Sequence, residues 1–260
     1  MNRSVQELSD VLLEAEKKRN GAAPLTELEP DLTIKDAYRV QLETIQRKTG
    51  EGRRVVGKKI GLTSLAMQKL LGVDEPDYGH LLEDMEFENG STIPFGRLLQ
   101  PKAEGEIAFV MKKSLNRQHL TIDDVLDATD YVVPAIEIVD SRIGDWKIKL
   151  QDTIADNASC GLFVLGSKGY KPGEIDLEKT EMKLFKNEEL INSGTGRDVL
   201  GHPAACVAWL GEKLYEYGAS LREGDIVLSG ALSAAVDVHR GDSIRAVFSG
   251  LGDVTVSFSN

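Results

Sequence analysis

The chain has 260 residues, with 31 Lys+Arg against 42 Asp+Glu and a formal net charge of −11. That length holds one large domain or two small ones around a sizeable core, and 41% hydrophobic with 28% charged residues is an ordinary globular composition. The acidic balance argues against a nucleic-acid binder, which needs a basic face to displace counterions, and against docking on anionic lipid.

The N-terminus opens without an apolar signal core. No apolar run approaches the roughly 18–20 residues needed to cross a bilayer. Cys160 and Cys206 make neither a disulfide framework nor a Cys-x-x-Cys pair, so buried free thiols in a soluble cytoplasmic protein are expected. Val5, Leu8, Val11, Leu12 and Ala15 recur at helical spacing until Asn20-Gly21. A second helix is predicted over residues 34–48, with Thr33 as N-cap and Asp36 in its first turn. A strand follows over 54–60, then a short helix over 64–71 ending at Gly72.

Beyond that point, β-rich runs alternate with Gly and Pro. Strands are predicted over 106–112, 131–139, 161–165, 181–186, 225–229, 243–249 and 253–258, the last two joined by a tight hairpin at Gly250-Leu251-Gly252. A late helix should run over 203–217, with Pro203 at its first position and His202 just before it. Helices first and strands later, without regular alternation, predict an α+β protein: a mostly helical region over 1–72 and a β-rich catalytic domain over 73–260. No glycine-rich nucleotide fingerprint is present, and Gly194-Thr195-Gly196 reads as a turn.

Three carboxylates stand out. Glu104 and Glu106 fall on one face of a strand, one pleat apart, and would repel unless a cation or proton sits between them. Glu137 interrupts an apolar strand, where an unpaired carboxylate costs several kcal/mol. A core ion pair, for instance with Arg142, would satisfy it. So would a metal shared with Glu104 and Glu106, whose all-oxygen donor set suits Mg²⁺ or Mn²⁺. Of the lysines in Gly57-Lys58-Lys59-Ile60-Gly61, Lys58 reads as solvated and Lys59 as a cation able to reach a cleft. Residues 152–161 read as a loop of caps and turns, or as the lining of a polar pocket. Pro76-Asp77-Tyr78-Gly79-His80 carries the same two readings, with a turn the default for a lone Asp beside Pro and Gly. Trp146 and Trp209 read as packing, and no histidine is assigned a general-base role.

Taken together, Gly57-Lys58-Lys59-Ile60-Gly61-Leu62-Thr63-Ser64, Glu75-Pro76-Asp77-Tyr78-Gly79, Pro101-Lys102-Ala103-Glu104-Gly105-Glu106-Ile107-Ala108, Val139-Asp140-Ser141-Arg142-Ile143 and Ala155-Asp156-Asn157-Ala158-Ser159 resemble the 2-keto-4-pentenoate hydratases, near relatives of the 4-oxalocrotonate decarboxylases in the fumarylacetoacetate hydrolase superfamily. Leu200-Gly201-His202-Pro203 and Gly230-Ala231-Leu232 extend the resemblance over nearly the whole chain. It implies a helical N-terminal region followed by a mixed β-sheet roll of the superfamily's C-terminal type. It also implies Mg²⁺ or Mn²⁺ held by Glu104, Glu106 and Glu137, with Gly105 facing away from the metal where relatives often carry Ala or Val. By the same resemblance, Lys59 would contact the 2-oxo acid end of a 2-hydroxy-2,4-dienoate, Asp77 would handle water or a proton, and Ser159 would orient the substrate. The implied product is a 4-hydroxy-2-oxo acid of aromatic meta-cleavage catabolism. The alternatives are a decarboxylase, in which an apolar residue tends to replace Asp77, or a hydratase for a longer 1,7-dioate. A homo-oligomer, associating with other enzymes of the pathway, is expected.

Overall fold

A computed structural model of the chain describes residues 2–64, 68–69 and 73–260. The N-terminal helices are α1 (Val5–Lys18), α2 (Leu25–Leu28) and α3 (Ile34–Gly50). Ser4 and Thr33 cap α1 and α3, each accepting a bond from a backbone N–H three residues on. The later helices are α4 (Ile122–Ala128), α5 (Leu150–Ala155) and α6 (Pro203–Glu216). His202 caps α6, its Nδ1 accepting from the Ala204 N–H at 3.0 Å.

The strands are β1 (Val55–Gly61), β2 (Asp77–Leu82), β3 (Glu86–Phe87), β4 (Thr92–Ile93), β5 (Lys102–Met111), β6 (Thr129–Val139), β7 (Cys160–Leu165), β8 (Glu181–Lys186), β9 (Glu189–Thr195), β10 (Ile226–Ala231), β11 (Val236–Asp237), β12 (Ser243–Phe248) and β13 (Gly252–Phe258). They form two sheets. The larger runs β2-β1-β10-β5-β6-β7-β3 with β11 added to β5; the smaller runs β4-β13-β12-β8-β9. The smaller sheet packs over β5, β6 and β7. At Gly105 an added Cβ would point at Met182 and Ala246 of that smaller sheet, away from the flanking glutamates, because side chains alternate across a strand.

The large sheet is curled. Lys59 on β1 and Glu137 on β6 are separated by β10 and β5, three steps of roughly 4.8 Å each in a flat sheet. Yet Lys59 Nζ lies 3.3 Å from Glu137 Oε1. Side chains rising in parallel from a flat sheet would not meet; twist and curl tilt them toward a common centre.

Several expectations change. Pro76-Asp77-Tyr78-Gly79 is not a turn, because β2 runs from Asp77 and is buried throughout. Its Gly and Asp lower strand propensity, and pairing to β1 overrides that. Residues 152–161 contain the end of α5, a single turn at Asn157–Ser159 and the start of β7, rather than one loop. Gly194 and Thr195 close β9 instead of forming a free turn. Lys58 is buried, at 8% exposure, since β1 is covered on both faces. The helix expected over 64–71 falls largely outside the described residues.

Candidate active site

Strand register builds the cluster. Glu104 pairs directly with Glu137 across β5 and β6, and Glu106 lies two residues along β5. One carboxylate oxygen from each of Glu104, Glu106 and Glu137 falls within 4.8 Å of the others. Glu106 and Glu137 are fully buried. Glu106 Oε2 accepts the Gly230 N–H at 2.8 Å, but Glu106 Oε1 and both Glu137 oxygens have no hydrogen-bond partner among the described residues. Lys59 is the nearest cation. It contacts Glu137 without hydrogen-bond geometry and donates to the Ala158 carbonyl at 3.1 Å.

Burial leaves these charges strongly coupled. Burial and the neighbouring Glu137 push the Glu104 carboxyl up to about 7, and the same two causes, with Glu104, hold Glu106 well above the carboxylate range. Burial acts to lower the Lys59 ammonium, but the facing Glu137, Asp77 and Glu104 carboxylates outweigh it and raise its pKa. Asp77 is pushed up to about 6, chiefly by burial, with Lys59 opposing. These directions describe a protein-only cluster with too much negative charge for the space it occupies.

The cluster opens into a cavity of about 830 Å³. Lys59, Asp77, Glu104, Thr153 and Ser159 line it toward the glutamates, while Leu62, Val139, Trp146, Ile148 and Leu232 supply apolar wall. Asp77 Oδ1 is buried without a hydrogen-bond partner among the described residues. Ser159 Oγ lies 3.2 Å from Thr153 Oγ1. Such a chamber, mostly apolar with a few converging polar groups at one end, suits a small organic acid.

Residues 72–259 match the family described as fumarylacetoacetate (FAA) hydrolase, C-terminal. A 2-hydroxyhexa-2,4-dienoate hydratase of Comamonas testosteroni is 45% identical over 250 residues, covering 95% of each chain. The chain belongs to the hydratase and decarboxylase family of the fumarylacetoacetate hydrolase superfamily. A 2-keto-4-pentenoate hydratase of Paraburkholderia xenovorans (strain LB400) is likewise 45% identical over 98% of this chain and 95% of its own. Among solved structures, the 4-oxalocrotonate decarboxylase of Pseudomonas putida G7, complexed with magnesium and adipate, matches with a TM-score of 0.95 at 36% identity, covering 98% of this chain and 97% of that one.

In this hydratase and decarboxylase fold, all six residues singled out from the sequence converge. Glu104, Glu106 and Glu137 form the carboxylate cluster; Lys59, Asp77 and Ser159 surround its mouth. Arg142 does not pair with Glu137. Its guanidinium bonds Asp156 Oδ1 at 2.5 Å and the carbonyls of Asp140 and Cys160. Trp146 is a wall of the cavity as well as a packing residue, anchored by Nε1–H donation to the Gln100 carbonyl at 3.1 Å. Sequence reasoning passed over the Gly230 N–H and the Ala158 carbonyl. Main-chain groups leave no residue-type signal, although both positions fall in the motifs that carry the resemblance. Among the described residues, no helix is long and apolar enough to cross a membrane.

Proposed function

We propose that the protein is a divalent-metal-dependent hydro-lyase that converts a 2-hydroxy-2,4-dienoate, typified by 2-hydroxypenta-2,4-dienoate, into a 4-hydroxy-2-oxo acid. The observation that carries this reading is the cluster of Glu104 with the buried Glu106 and Glu137, whose three unpartnered oxygens among the described residues lie beside Lys59 at one end of an organic-acid-sized cavity. The hydratase names of relatives at 45% identity over nearly full length support it.

The donor set fits Mg²⁺ or Mn²⁺. It is all oxygen, it holds unsatisfied buried carboxylate oxygens, and it carries three negative charges against one ammonium. Glu104, Glu106 and Glu137 would hold the ion, which when bound supplies Lewis-acid polarisation of the 2-oxo acid end.

The chain's own residues do the rest. Lys59 presents its ammonium to the substrate's carboxylate end and offsets charge there. The net reaction removes the proton of the C2 hydroxyl and delivers one to C5, giving the 2-oxo-3-enoate, and then adds one water, hydroxide equivalent at C4 and proton at C3. Asp77, whose Oδ1 has no hydrogen-bond partner among the described residues and whose carboxyl is pushed up to about 6 by burial, handles water or a proton from its place beside Lys59. Ser159 and Thr153 orient water or substrate by their hydroxyls. The apolar wall keeps bulk water from competing. The protein acts in the cytoplasm as a homo-oligomer on products of aromatic ring cleavage, alone or beside other enzymes of that route.

The same scaffold serves the 36% identical decarboxylase, so the deciding assay is paired. With Mg²⁺ or Mn²⁺ the protein should consume 2-hydroxypenta-2,4-dienoate and form 4-hydroxy-2-oxopentanoate, while releasing no CO₂ from the conjugated 2-oxohex-3-enedioate. Rapid CO₂ release without hydration would replace this reading with the decarboxylase.

A further inference from the structure

Asn157, Ala158 and Ser159 all adopt the left-handed backbone conformation, with φ of 56°, 50° and 52°. Three consecutive non-glycine residues there are unfavourable, because each Cβ crowds its own carbonyl, and such a run persists only where the surroundings over-determine it. What holds this run is visible. The Asn157 side chain accepts the His80 N–H through Oδ1 at 2.7 Å and donates through Nδ2 to the His80 carbonyl at 2.9 Å. One amide thus satisfies both backbone groups of a residue on the outer edge of β2, as a neighbouring strand would. The next two residues serve the cavity: the Ala158 carbonyl accepts from Lys59, and Ser159 lines the chamber beside Thr153. Gly79, next to His80, makes the contact possible, since a Cβ there would stand 2.4 Å from the Asn157 carbonyl oxygen.

We infer that Asn157 is a positioning residue whose side-chain amide clamps this segment onto β2 and so aims the Lys59 ammonium and the Ser159 hydroxyl into the cavity. The inference rests on the hydratase reading for what those two groups then do. Asn157 itself is not among the cavity-lining residues; it acts through its neighbours.

Three variants test it. Asn157→Asp is isosteric but turns the donor facing the His80 carbonyl into an acceptor. Asn157→Gly removes the clamp while tolerating positive φ. Gly79→Ala pushes the segment off β2 from the opposite side. Each should lower kcat by about tenfold or more, the scale of catalytic misplacement, with KM and Mn²⁺ affinity within about threefold of wild type. Amide exchange at His80 should accelerate in Asn157→Gly, which loses the acceptor of that N–H. A merely structural role would lower thermal stability and leave kcat of the folded enzyme in place. Folded Asn157→Gly protein with faster His80 exchange, or folded Asn157→Asp protein, with kcat within about twofold of wild type overturns the inference, as does unchanged exchange in Asn157→Gly. Absence of turnover by the wild type with metal would instead sink the hydratase reading, and the exchange measurement still reports on the clamp.

Discussion

Two buried charge clusters lie on either side of the Asn157–Ser159 turn, and they are finished to different degrees. In the first, Arg142 and Asp156 satisfy one another. Asp156 takes bonds from the Arg142 N–H, its Nε and the Ser141 hydroxyl, and further guanidinium donors go to the carbonyls of Asp140, Asp156 and Cys160. In the second, Glu106 and Glu137 keep three oxygens without a hydrogen-bond partner among the described residues, and Lys59 is the cation in contact. A buried pair whose carboxylate oxygens and most of whose guanidinium donors are used is a structural brace. A buried carboxylate cluster left short of partners costs stability that only a ligand would recover. The difference between the clusters therefore separates architecture from chemistry.

The largest expected effect is on the unfinished cluster. Glu106→Gln should lower turnover about a thousandfold, equivalent to roughly 4 kcal/mol, and Mg²⁺, expected to raise the melting temperature of the wild type, should leave that of the variant unchanged. Its metal-free stability to urea should not fall, since one of three crowded carboxylates has gone. Wild-type turnover in that variant would remove Glu106 from the proposed metal centre. The finished cluster should behave oppositely: Arg142→Met strands Asp156 and should cost about 3 kcal/mol of unfolding free energy. The double variant Arg142→Met/Asp156→Asn should regain part of it, and a stable single variant would show that the brace is dispensable.

Lys59→Ala should cut kcat about a hundredfold while Mn²⁺ still binds by calorimetry. Unchanged kinetics would take Lys59 out of the mechanism. The smallest effect concerns His80, which belongs to neither cluster. Burial, aided by nearby Lys58, pushes its imidazole down to about 3 from 6.5, while Nδ1 contacts Gln41 Oε1 at 3.0 Å. The folded state keeps it neutral, so its contribution is fully present above pH 6.5 and is lost as pH falls from 6.5 toward 3. At pH 5 the loss reaches roughly 2 kcal/mol. Asp77, Glu104 and Asp156, all raised, tilt stability the other way. The comparison that isolates His80 is therefore wild type against His80→Asn, by urea unfolding at pH 7.5 and 5.0; equal pH dependence in the two would refute it.

Much of the fold was legible. The predicted helices over 34–48 and 203–217 and the strands over 131–139, 161–165 and 181–186 all appear within a few residues of their expected bounds. These segments combine a clear period with explicit caps or breakers. β2 and β9 were not legible. Asp77, Gly79, Asn192 and Gly194 are poor strand formers, and their strands exist because a neighbour supplies the ladder. The glutamate trio was legible because a charge inside an apolar strand violates its local pattern. The true partner of Arg142 was not, because Asp140, Glu137 and Asp156 are all close in sequence and only the backbone path selects among them.

The sequence by itself determined the composition of the candidate centre: three carboxylates on two strands whose alternation places Glu104 and Glu106 on one face, with Lys59, Asp77 and Ser159 in motifs that mark the family. Alternation is a local property of extended backbone, so it can be read one strand at a time. The tertiary structure decided what those residues do to each other. The curl of the large sheet brings Lys59 across two intervening strands to Glu137, and the Asn157 amide on β2 fixes the left-handed turn that meets Lys59 from the other side. Both depend on contacts between segments far apart in the chain, here 77 residues for Asn157 and His80, and no local preference encodes such a meeting.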